Sequence, residues 1–291
     1  MEGMMSTGSV TVIGLGPMGR AMADAYLDSG YAVTVWNRTA HRADPLVARG
    51  AVRAESAEAA LRANRLVVLS LTDYAAMYDV LGTADPSALA GRTLVNLSSD
   101  TPDRVREAAR WTAGRGAVQV TGGVQVPPPA IGGTDAMTYY SGPKEAVETH
   151  RSALEVLTGI EYLGDDPGLA ALFYQLGMDM FWTGLVGYVH AQATASANGV
   201  SAREFLPIAL KTMDFRYFLE FYAPRVDAGE HGGDVDRLTM AAASMEHVLH
   251  TVEASGVDGS LPAAVLDVMR RGVAAGRGGD SLTSLTEVLR G

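Results

Sequence analysis

The chain has 291 residues, of which 47% are apolar and 19% are charged, so it has enough apolar side chains for two packed cores of ordinary size. Its formal net charge is −10 and it has no run rich in Lys or Arg, which argues against a nucleic-acid backbone as its main partner. It contains no cysteine, which excludes disulfides, cysteine-ligated metal sites and thiol nucleophiles.

The sequence lacks the patterns of export and of a membrane span. Its first residues have no basic flank followed by an apolar run, and no uninterrupted stretch of about 18 apolar residues follows. The closest candidate, residues 176–189, is interrupted by Asp179. We therefore expect a soluble cytoplasmic protein with no membrane partner.

Short apolar segments alternate with helical segments over the first half of the chain. β-branched residues predict strands at 9–13 and 31–36, with a helix over 17–29 between them that ends at Gly30. Further elements of the same kind are strands at 66–70 and 93–97 and a helix at 101–113. This alternation is typical of an α/β fold with a doubly wound Rossmann sheet.

The pattern changes near residue 162, where strand-like segments stop and helix-compatible segments begin. Asp165 and Asp166 before Pro167 predict the start of a helix, and no further proline interrupts it before Asn198. This helix, at about 166–198, would be roughly 45 Å long. The sequence therefore predicts a Rossmann domain over 1–162, joined by the long helix to an all-α domain over 163–291.

Residues 14–19 read Gly-Leu-Gly-Pro-Met-Gly and have the spacing G-x-G-x-x-G. The motif follows the first predicted strand and opens the first predicted helix, where backbone N–H groups can bind a pyrophosphate. The alternative is a glycine-rich turn with only a packing role. We expect a dinucleotide bound by Gly14, Leu15, Gly16, Pro17, Met18 and Gly19.

The end of the second predicted strand indicates which dinucleotide is bound. Chains that bind NAD carry an acidic residue about 20 residues after the glycines, whereas residues 37–42 read Asn-Arg-Thr-Ala-His-Arg. Arg38 is suited to stack on adenine and to pair with a 2′-phosphate, and Asn37, Thr39 and Arg42 add hydrogen-bond donors. This pattern predicts NADPH, and the alternative is a solvated basic start of a helix.

With these residues the sequence resembles the β-hydroxyacid dehydrogenase superfamily and, more narrowly, the bacterial imine reductases, over essentially the whole chain. Residues 71–73 and 96–99 are similar to the family's cofactor-facing loops. Residues 122–128 and 130–132 are similar to the proline-containing substrate loop of imine reductases, where hydroxyacid dehydrogenases would have an anion-binding Ser-Gly-Gly segment. The resemblance implies further cofactor contacts from Leu71, Thr72, Asn96 and Ser98.

Tyr174 stands six residues after Gly168, where hydroxyacid dehydrogenases have a catalytic lysine. Lys144 and Lys211 are the only lysines, and neither lies on the predicted long helix. In imine reductases this position is Asp or Tyr, and the Tyr form is associated with (S)-selective members, so the resemblance implies that Tyr174 is catalytic. Tyr174 would either protonate the substrate nitrogen or orient an iminium that arrives protonated, with Asp179 as the second candidate acid.

Apolar residues near Tyr174 predict a pocket for a hydrophobic imine rather than for an anionic hydroxyacid. One stripe of the predicted long helix carries Met178 and Phe181, and the substrate loop adds two valines. Five aromatic residues within 215–222 form either a wall of this pocket or a helix–helix core. The predicted pocket residues are Val124, Val126, Met178, Phe181, Phe215 and Phe218.

Together with these residues, the resemblance implies an NADPH-dependent imine reductase that transfers hydride to the carbon of a C=N bond, cyclic substrates included, and that needs no metal. His247 and His250 are more typical of packed or solvated histidines than of a metal site. The resemblance implies a homodimer with exchanged C-terminal domains. Two alternatives stay open: a β-hydroxyacid dehydrogenase with a remodelled site, and a non-catalytic NADP(H)-binding scaffold or sensor.

Overall fold

The computed structural model describes residues 7–290 and contains an eight-stranded β-sheet. Its strands are β1 (Ser9–Ile13), β2 (Ala32–Trp36), β3 (Val52–Arg53), β4 (Leu66–Leu69), β5 (Thr93–Asn96), β6 (Val118–Val124), β7 (Met137–Ser141) and β8 (Gly159–Gly164). The strand order is β3-β2-β1-β4-β5-β6-β7-β8, and neighbouring strands are parallel except for β6 and β7. The predicted doubly wound Rossmann sheet is confirmed.

The order of the strands reverses at β1, which pairs with β2 on one side and with β4 on the other. In open α/β sheets a crevice forms outside the carboxyl ends of the strands at such a reversal, and ligands bind there. The glycine motif at 14–19 follows β1 directly and therefore lies at this crevice.

The sheet is buried on both faces, which is why its central strands are continuous apolar segments. Successive side chains of β4 alternate between two clusters: Leu66 and Val68 pack in one, and Val67 and Leu69 in the other. Helices cover both faces, and those of this part of the chain are α1 (Pro17–Asp28), α2 (Asp44–Val47), α3 (Ala57–Ala63), α4 (Tyr74–Leu81), α5 (Pro102–Ala113), α6 (Lys144–Thr149) and α7 (Arg151–Glu155). Short 3₁₀ turns cover Ala40–Ala43, Pro86–Ala88 and Pro128–Ala130.

The predicted long helix is α8 (Leu169–Ala197), and the chain divides into two compact units within it, between Asp179 and Met180. The second unit continues with the helices α9 (Ala202–Thr212), α10 (Arg216–Ala228), α11 (Leu238–Ala254), α12 (Ser260–Gly272) and α13 (Leu285–Arg290). A π-helical turn covers Val273–Arg277 and a 3₁₀ turn covers Leu282–Ser284. The domain boundary near residue 162 is a different division of the chain, and it stays a prediction.

The second unit buries few apolar side chains. From residue 180 to residue 290 the buried apolar residues are Ala209, Leu238, Ala242, Val252 and Leu266. Large apolar residues are instead exposed on α8, α9 and α10, among them Trp182, Val189, Ile208, Leu210 and Tyr217. A soluble monomer rarely exposes so many apolar side chains, so this surface is typical of one that another molecule covers.

By length and composition alone, α8 is long and apolar enough to cross a membrane. An 18-residue stretch of it has a mean hydropathy of 1.2, and 11% of that stretch is buried within the described chain. One such helix is weak evidence for a membrane span, because helices of soluble proteins meet the same criteria. The absence of a membrane partner stays a prediction.

Candidate active site

Two glycines of the motif at 14–19 are required by backbone contacts, and the third faces open space. Gly14 has φ +93°, and a Cβ atom there would lie 2.2 Å from the Ser70 carbonyl oxygen. A Cβ atom at Gly19 would lie 1.9 Å from the Gly14 carbonyl oxygen. A Cβ atom at Gly16 would have no atom within 4 Å, so this position leaves room for a group that approaches the backbone.

Asn37 connects the glycine loop to the end of β2. The backbone N–H of Leu15 donates to Asn37 Oδ1 at 2.9 Å, and Asn37 Nδ2 donates to the Thr39 carbonyl oxygen at 3.1 Å. Leu15 itself is buried in the apolar core. Two loops that the sequence predicted to bind the cofactor therefore hold each other in place.

A cavity of about 1000 Å³, here called the cofactor cavity, opens along these loops. Ten of its lining residues were predicted from the sequence: Gly14, Gly16, Pro17, Met18, Asn37, Arg38, Thr39, Arg42, Leu71 and Thr72. The other four lining residues, which were not predicted from the sequence, are Trp36, Ser70, Ala76 and Val80. Trp36, Ala76 and Val80 give this cavity apolar surface suited to a flat ring such as adenine.

The chemistry of the cofactor cavity fits a phosphorylated dinucleotide. Gly16 is the N-cap of α1, no side chain caps this end, and Pro17 occupies the first turn, so the helix N-terminus is open to an anion. Arg38 and Arg42 line the same cavity, and no acidic residue is among its described lining residues. Two arginines without an acid favour a 2′-phosphate over a free ribose hydroxyl.

A second cavity of about 690 Å³, here called the substrate cavity, shares Met18, Ser70, Leu71 and Thr72 with the cofactor cavity. Its other lining residues are Leu97, Ser98, Ser99, Asp100, Thr121, Gly122, Gly123, Val124, Ala171 and Tyr174. The four shared residues make the two cavities parts of one cleft. The cleft runs from the arginines at one end to Tyr174 at the other.

Asn96 and Ser98 hold the loop after β5 against the loop after β4. The Leu71 N–H donates to Ser98 Oγ at 3.1 Å, and the Ser98 N–H donates to Asn96 Oδ1 at 3.0 Å. Both side chains are buried, and Ser98 lines the substrate cavity whereas Asn96 lines neither cavity. Asn96 therefore shapes the loop from beneath.

Tyr174 is half-buried in the second turn of α8, and the start of this helix is held to the first unit by side chains. Ser141 Oγ donates to the Pro167 carbonyl oxygen at 2.9 Å and accepts from the Ala170 N–H at 3.0 Å. The guanidinium of Arg106 donates to both carboxylate oxygens of Asp166, with Nε–Oδ1 at 3.0 Å and Nη2–Oδ2 at 2.8 Å. These contacts set the position of Tyr174 along the cleft.

Besides Ser70, seven residues line the substrate cavity without having been predicted individually: Leu97, Ser99, Asp100, Thr121, Gly122, Gly123 and Ala171. Ser99 and Asp100 follow Ser98, and Gln175 Nε2 donates to Ser99 Oγ at 3.2 Å and to the Asp100 carbonyl oxygen at 3.4 Å. Gly122 and Gly123, noted in the sequence as part of a loop, lie in β6, where they line the cavity floor. Ser99 and Gln175 directly follow the predicted residues Ser98 and Tyr174 in the chain, and this adjacency is the signal that could have located them.

The predicted pocket residues are not all brought together. Val124 lines the substrate cavity, whereas Val126 and Met178 are half-buried and line neither cavity. Phe181, Phe215 and Phe218 belong to the second unit and are exposed. Phe218 contacts Tyr222, with ring centroids 5.9 Å apart. The substrate contacts of these residues stay predictions.

Among the described residues, no group of three His, Asp or Glu side chains is placed to hold a metal.

Two family models match consecutive parts of the chain. The NAD-binding domain of 6-phosphogluconate dehydrogenase matches residues 9–164, and the C-terminal domain described as NADPH-dependent reductive aminase-like matches residues 166–291. An NADPH-dependent reductive aminase of Aspergillus oryzae is 31% identical over 287 residues, which are 97% of this chain and 97% of the relative.

Solved structures of similar proteins extend the comparison. An imine reductase of Streptomyces aurantiacus is 56% identical, with a TM-score of 0.94 over 97% of this chain and 99% of the other. An imine reductase of Bacillus cereus is also 56% identical, with a TM-score of 0.91 and the same two coverages. A reductive aminase of Aspergillus terreus in complex with NADPH and ethyl levulinate is 35% identical, with a TM-score of 0.91 over 98% of this chain and 100% of the other. The chain therefore belongs to the family of imine reductases and NADPH-dependent reductive aminases, within the β-hydroxyacid dehydrogenase superfamily.

Proposed function

We propose that this protein reduces imines or iminium ions to amines and uses NADPH as its cofactor. The observation that carries the proposal is the continuous cleft: two arginines and an open helix N-terminus line one end, and a single phenol among mostly small and apolar residues lines the other. The similar proteins that match nearly the whole chain include an NADPH-dependent reductive aminase and solved structures of imine reductases and reductive aminases.

The chain's own residues account for cofactor binding. Backbone N–H groups at the start of α1 would bind the pyrophosphate, and Arg38 with Arg42 would pair with the 2′-phosphate. Leu71 and Thr72 would contact the part of the cofactor that passes from one cavity to the other. When bound, NADPH supplies the hydride that reduces the carbon of the C=N bond.

Tyr174 is the residue we assign to the substrate nitrogen. Its phenol either donates a proton to the nitrogen or holds an iminium that is already protonated, and its fixed place on α8 orients the C=N bond along the cleft. Val124, Leu97 and Ala171 contribute the apolar lining that excludes water. By resemblance to other members with Tyr at this position, we propose (S)-selectivity.

The hydroxyacid dehydrogenase alternative lacks support in the cleft. No lysine is among the described residues that line either cavity, and the chain's two lysines, Lys144 and Lys211, lie at the start of α6 and near the end of α9. The substrate cavity also has no arginine among its described lining residues, so no guanidinium there pairs with a substrate carboxylate.

Absorbance of NADPH at 340 nm with a panel of cyclic imines tests the proposal, with Tyr174→Phe beside the wild type. We expect imine-dependent oxidation of NADPH that is strongly reduced in the variant. A β-hydroxyacid with NADP⁺ is the counter-assay: its oxidation without any imine reduction would support the alternative dehydrogenase. Binding of NADPH without turnover of either substrate would instead support a scaffold or sensor. If Tyr174→Phe keeps full activity, the proposed reaction class would still be supported, but the proposed role of Tyr174 would be refuted.

We further propose that the protein is a cytoplasmic homodimer with exchanged C-terminal domains. The support is the resemblance and the second unit itself, which buries five apolar side chains while it exposes large ones on α8, α9 and α10. A second copy would cover these side chains without contact with a membrane. Light scattering after size exclusion tests this: we expect a dimer, and a smaller species for Val189→Arg, since Val189 is exposed on α8. A monomeric wild type would contradict it.

A further inference from the structure

Asp100 is a nearly buried carboxylate in the lining of the substrate cavity. Its side chain is 9% exposed, although it belongs to a loop. The Tyr74 N–H donates to Asp100 Oδ2 at 3.2 Å, and the Thr101 N–H donates to Oδ1 at 2.8 Å. The carboxylate is therefore held in one place by two backbone groups rather than by another side chain.

The same residue adjoins the part of α8 that carries Tyr174. Gln175, the next residue along that helix, donates its side-chain amide to the Asp100 carbonyl oxygen at 3.4 Å and to Ser99 Oγ at 3.2 Å. Asp100 and Tyr174 both line the substrate cavity. A substrate nitrogen next to Tyr174 is thus in the same cavity as this carboxylate.

No cation inside the substrate cavity balances the charge of Asp100 among the described lining residues. Among the described residues that line the substrate cavity, Asp100 is the only one with a side chain that is charged at neutral pH. The nearest cation is Arg104 on α5, whose Nη1 lies 3.6 Å from Asp100 Oδ2 and whose side chain is 61% exposed. Solvent screens this cation only in part, so Arg104 offsets some of the Asp100 charge, whereas a charge inside a cavity acts through a lower effective dielectric.

The charge of Asp100 also affects two phenols on α4, those of Tyr74 and Tyr78. Burial raises the pKa of the Tyr74 phenol, and the negative charge of Asp100 adds to the effect. Burial likewise raises the pKa of Tyr78, with smaller contributions from Glu107 and Asp100 that Arg110 and Arg115 oppose. Both phenols stay neutral at physiological pH, so neither supplies a charge to the cavity.

We propose that Asp100 is a specificity-determining residue that makes the substrate cavity selective for cations, so that the protein binds the iminium ion in preference to a neutral imine or ketone. This inference rests on the proposed function and names its substrate class. A fixed carboxylate stabilises positive charge on the C=N nitrogen, and the substrate then arrives already protonated. Tyr174 accordingly orients the iminium rather than protonating it.

Two pairs of probes separate charge from shape. The first pair is 3,4-dihydroisoquinoline and its N-methyl iminium salt, which is cationic at every pH and needs no proton donor. The second pair is 1,2,3,4-tetrahydroisoquinoline, which is protonated at neutral pH, and isochroman, its neutral ether analogue. Each pair is tested with the wild type, Asp100→Asn and Arg104→Gln, in the presence of saturating NADPH.

We expect wild-type protein to bind the tetrahydroisoquinolinium at least 10-fold more tightly than isochroman. Asp100→Asn should bring this ratio close to one and should lower kcat/KM for the N-methyl iminium about 10-fold, mainly through KM. Arg104→Gln is the matched control of opposite sign: removal of the counter-charge should raise the ratio about 2-fold to 3-fold.

A ratio near one in the wild type would overturn the inference, as would a ratio that survives Asp100→Asn. Thermal unfolding shows whether Asp100→Asn folds. If it does not, the binding ratios of the wild type and of Arg104→Gln decide. A ratio in Arg104→Gln that is no higher than in the wild type would then overturn the inference. The binding ratios, measured by calorimetry, need no turnover. The wild type could bind the tetrahydroisoquinolinium selectively and yet reduce neither 3,4-dihydroisoquinoline nor its N-methyl iminium salt. That result would refute the proposed function, whereas the charge selectivity of the cavity would still hold.

Discussion

Gly123 and Tyr174 lie so close together that no side chain fits at position 123. A Cβ atom there would be 2.9 Å from the Tyr174 Cβ and 3.0 Å from the Ala170 carbonyl oxygen. The glycine in β6 therefore allows α8 to approach the sheet and sets the depth at which Tyr174 enters the substrate cavity.

Gly123→Ala should displace Tyr174, because the backbone of α8 at Ala170 cannot move aside as a flexible side chain would. We expect a loss of stability of about 1–3 kcal/mol and a decrease in kcat of roughly 10-fold to 100-fold. Steady-state kinetics with a cyclic imine and thermal unfolding measure the two effects. Gly114→Ala is the control, since Gly114 has φ −62° and a Cβ atom there would be 3.5 Å from the nearest atom, the Arg110 carbonyl oxygen. Equal effects of both substitutions would refute the steric argument.

Substitutions at Asn37 should separate loop stability from cofactor affinity. Asn37→Asp keeps an acceptor for the Leu15 N–H but adds a negative charge to the cofactor cavity. We expect it to retain most of the wild-type stability and to bind NADPH at least about 10-fold more weakly. Asn37→Ala loses the acceptor and should cost about 1–2 kcal/mol of stability. Calorimetric titration with NADPH and denaturant unfolding measure these effects, and unchanged NADPH affinity of Asn37→Asp would count against phosphate binding at this loop.

Arg38 should decide between the two nicotinamide cofactors. Arg38→Ala removes a guanidinium from the cofactor cavity, and we expect the Kd for NADPH to rise about 10-fold to 100-fold because a charged hydrogen bond is lost. The Kd for NADH, which has no 2′-phosphate, should change much less. Arg110→Ala is the control, because Arg110 is exposed on α5 and lines neither cavity. Parallel losses for both cofactors would show that Arg38 does not recognise the phosphate.

The Asp166 carboxylate should contribute a pH-dependent part of stability. The hydrogen bond from Arg106 holds the pKa of Asp166 below its ordinary value of 3.8, with a further contribution from the Gly168 N–H. A lowered pKa in the folded state means that the stabilisation is complete above the unfolded pKa and is lost as pH falls through the folded one.

We expect Asp166→Asn to lower the free energy of unfolding by about 0.5–1 kcal/mol near pH 7, since the pair is half-exposed, and the difference from wild type to shrink below about pH 4. Urea unfolding across pH 2.5–7 measures it. Asp103→Asn is the control: Asp103 contacts the same Arg106, but its side chain is 95% exposed, so its removal should have little effect. A difference that stays constant down to the lowest pH would contradict the assignment.

The elements of the sheet that the sequence predicted are those with a continuous apolar pattern. β1 was predicted and found at residues 9–13, and the helix expected at 17–29 is Pro17–Asp28. The strands β3, β6, β7 and β8 were not predicted. β3 has only two residues, β6 contains two glycines, and β8 is half-exposed at the edge of the sheet. The long helix was predicted at about 166–198 and extends over Leu169–Ala197, since an uninterrupted run between a proline and a glycine determines it locally.

Sequence patterns alone predicted the cofactor end of the cleft, because the glycine loop and residues 37–42 are each recognised from a few consecutive residues with a fixed spacing. At the substrate end, Tyr174 and Val124 were predicted, but most of the residues around them were found only in the folded chain. Asp100, Gly123 and Tyr174 are far apart in the chain, and they meet there because the carboxyl ends of β5 and β6 and the start of α8 converge on one cavity. Side chains that meet only through the folding of separate elements leave no periodic signal in the sequence, so their joint chemistry becomes visible in the structure alone.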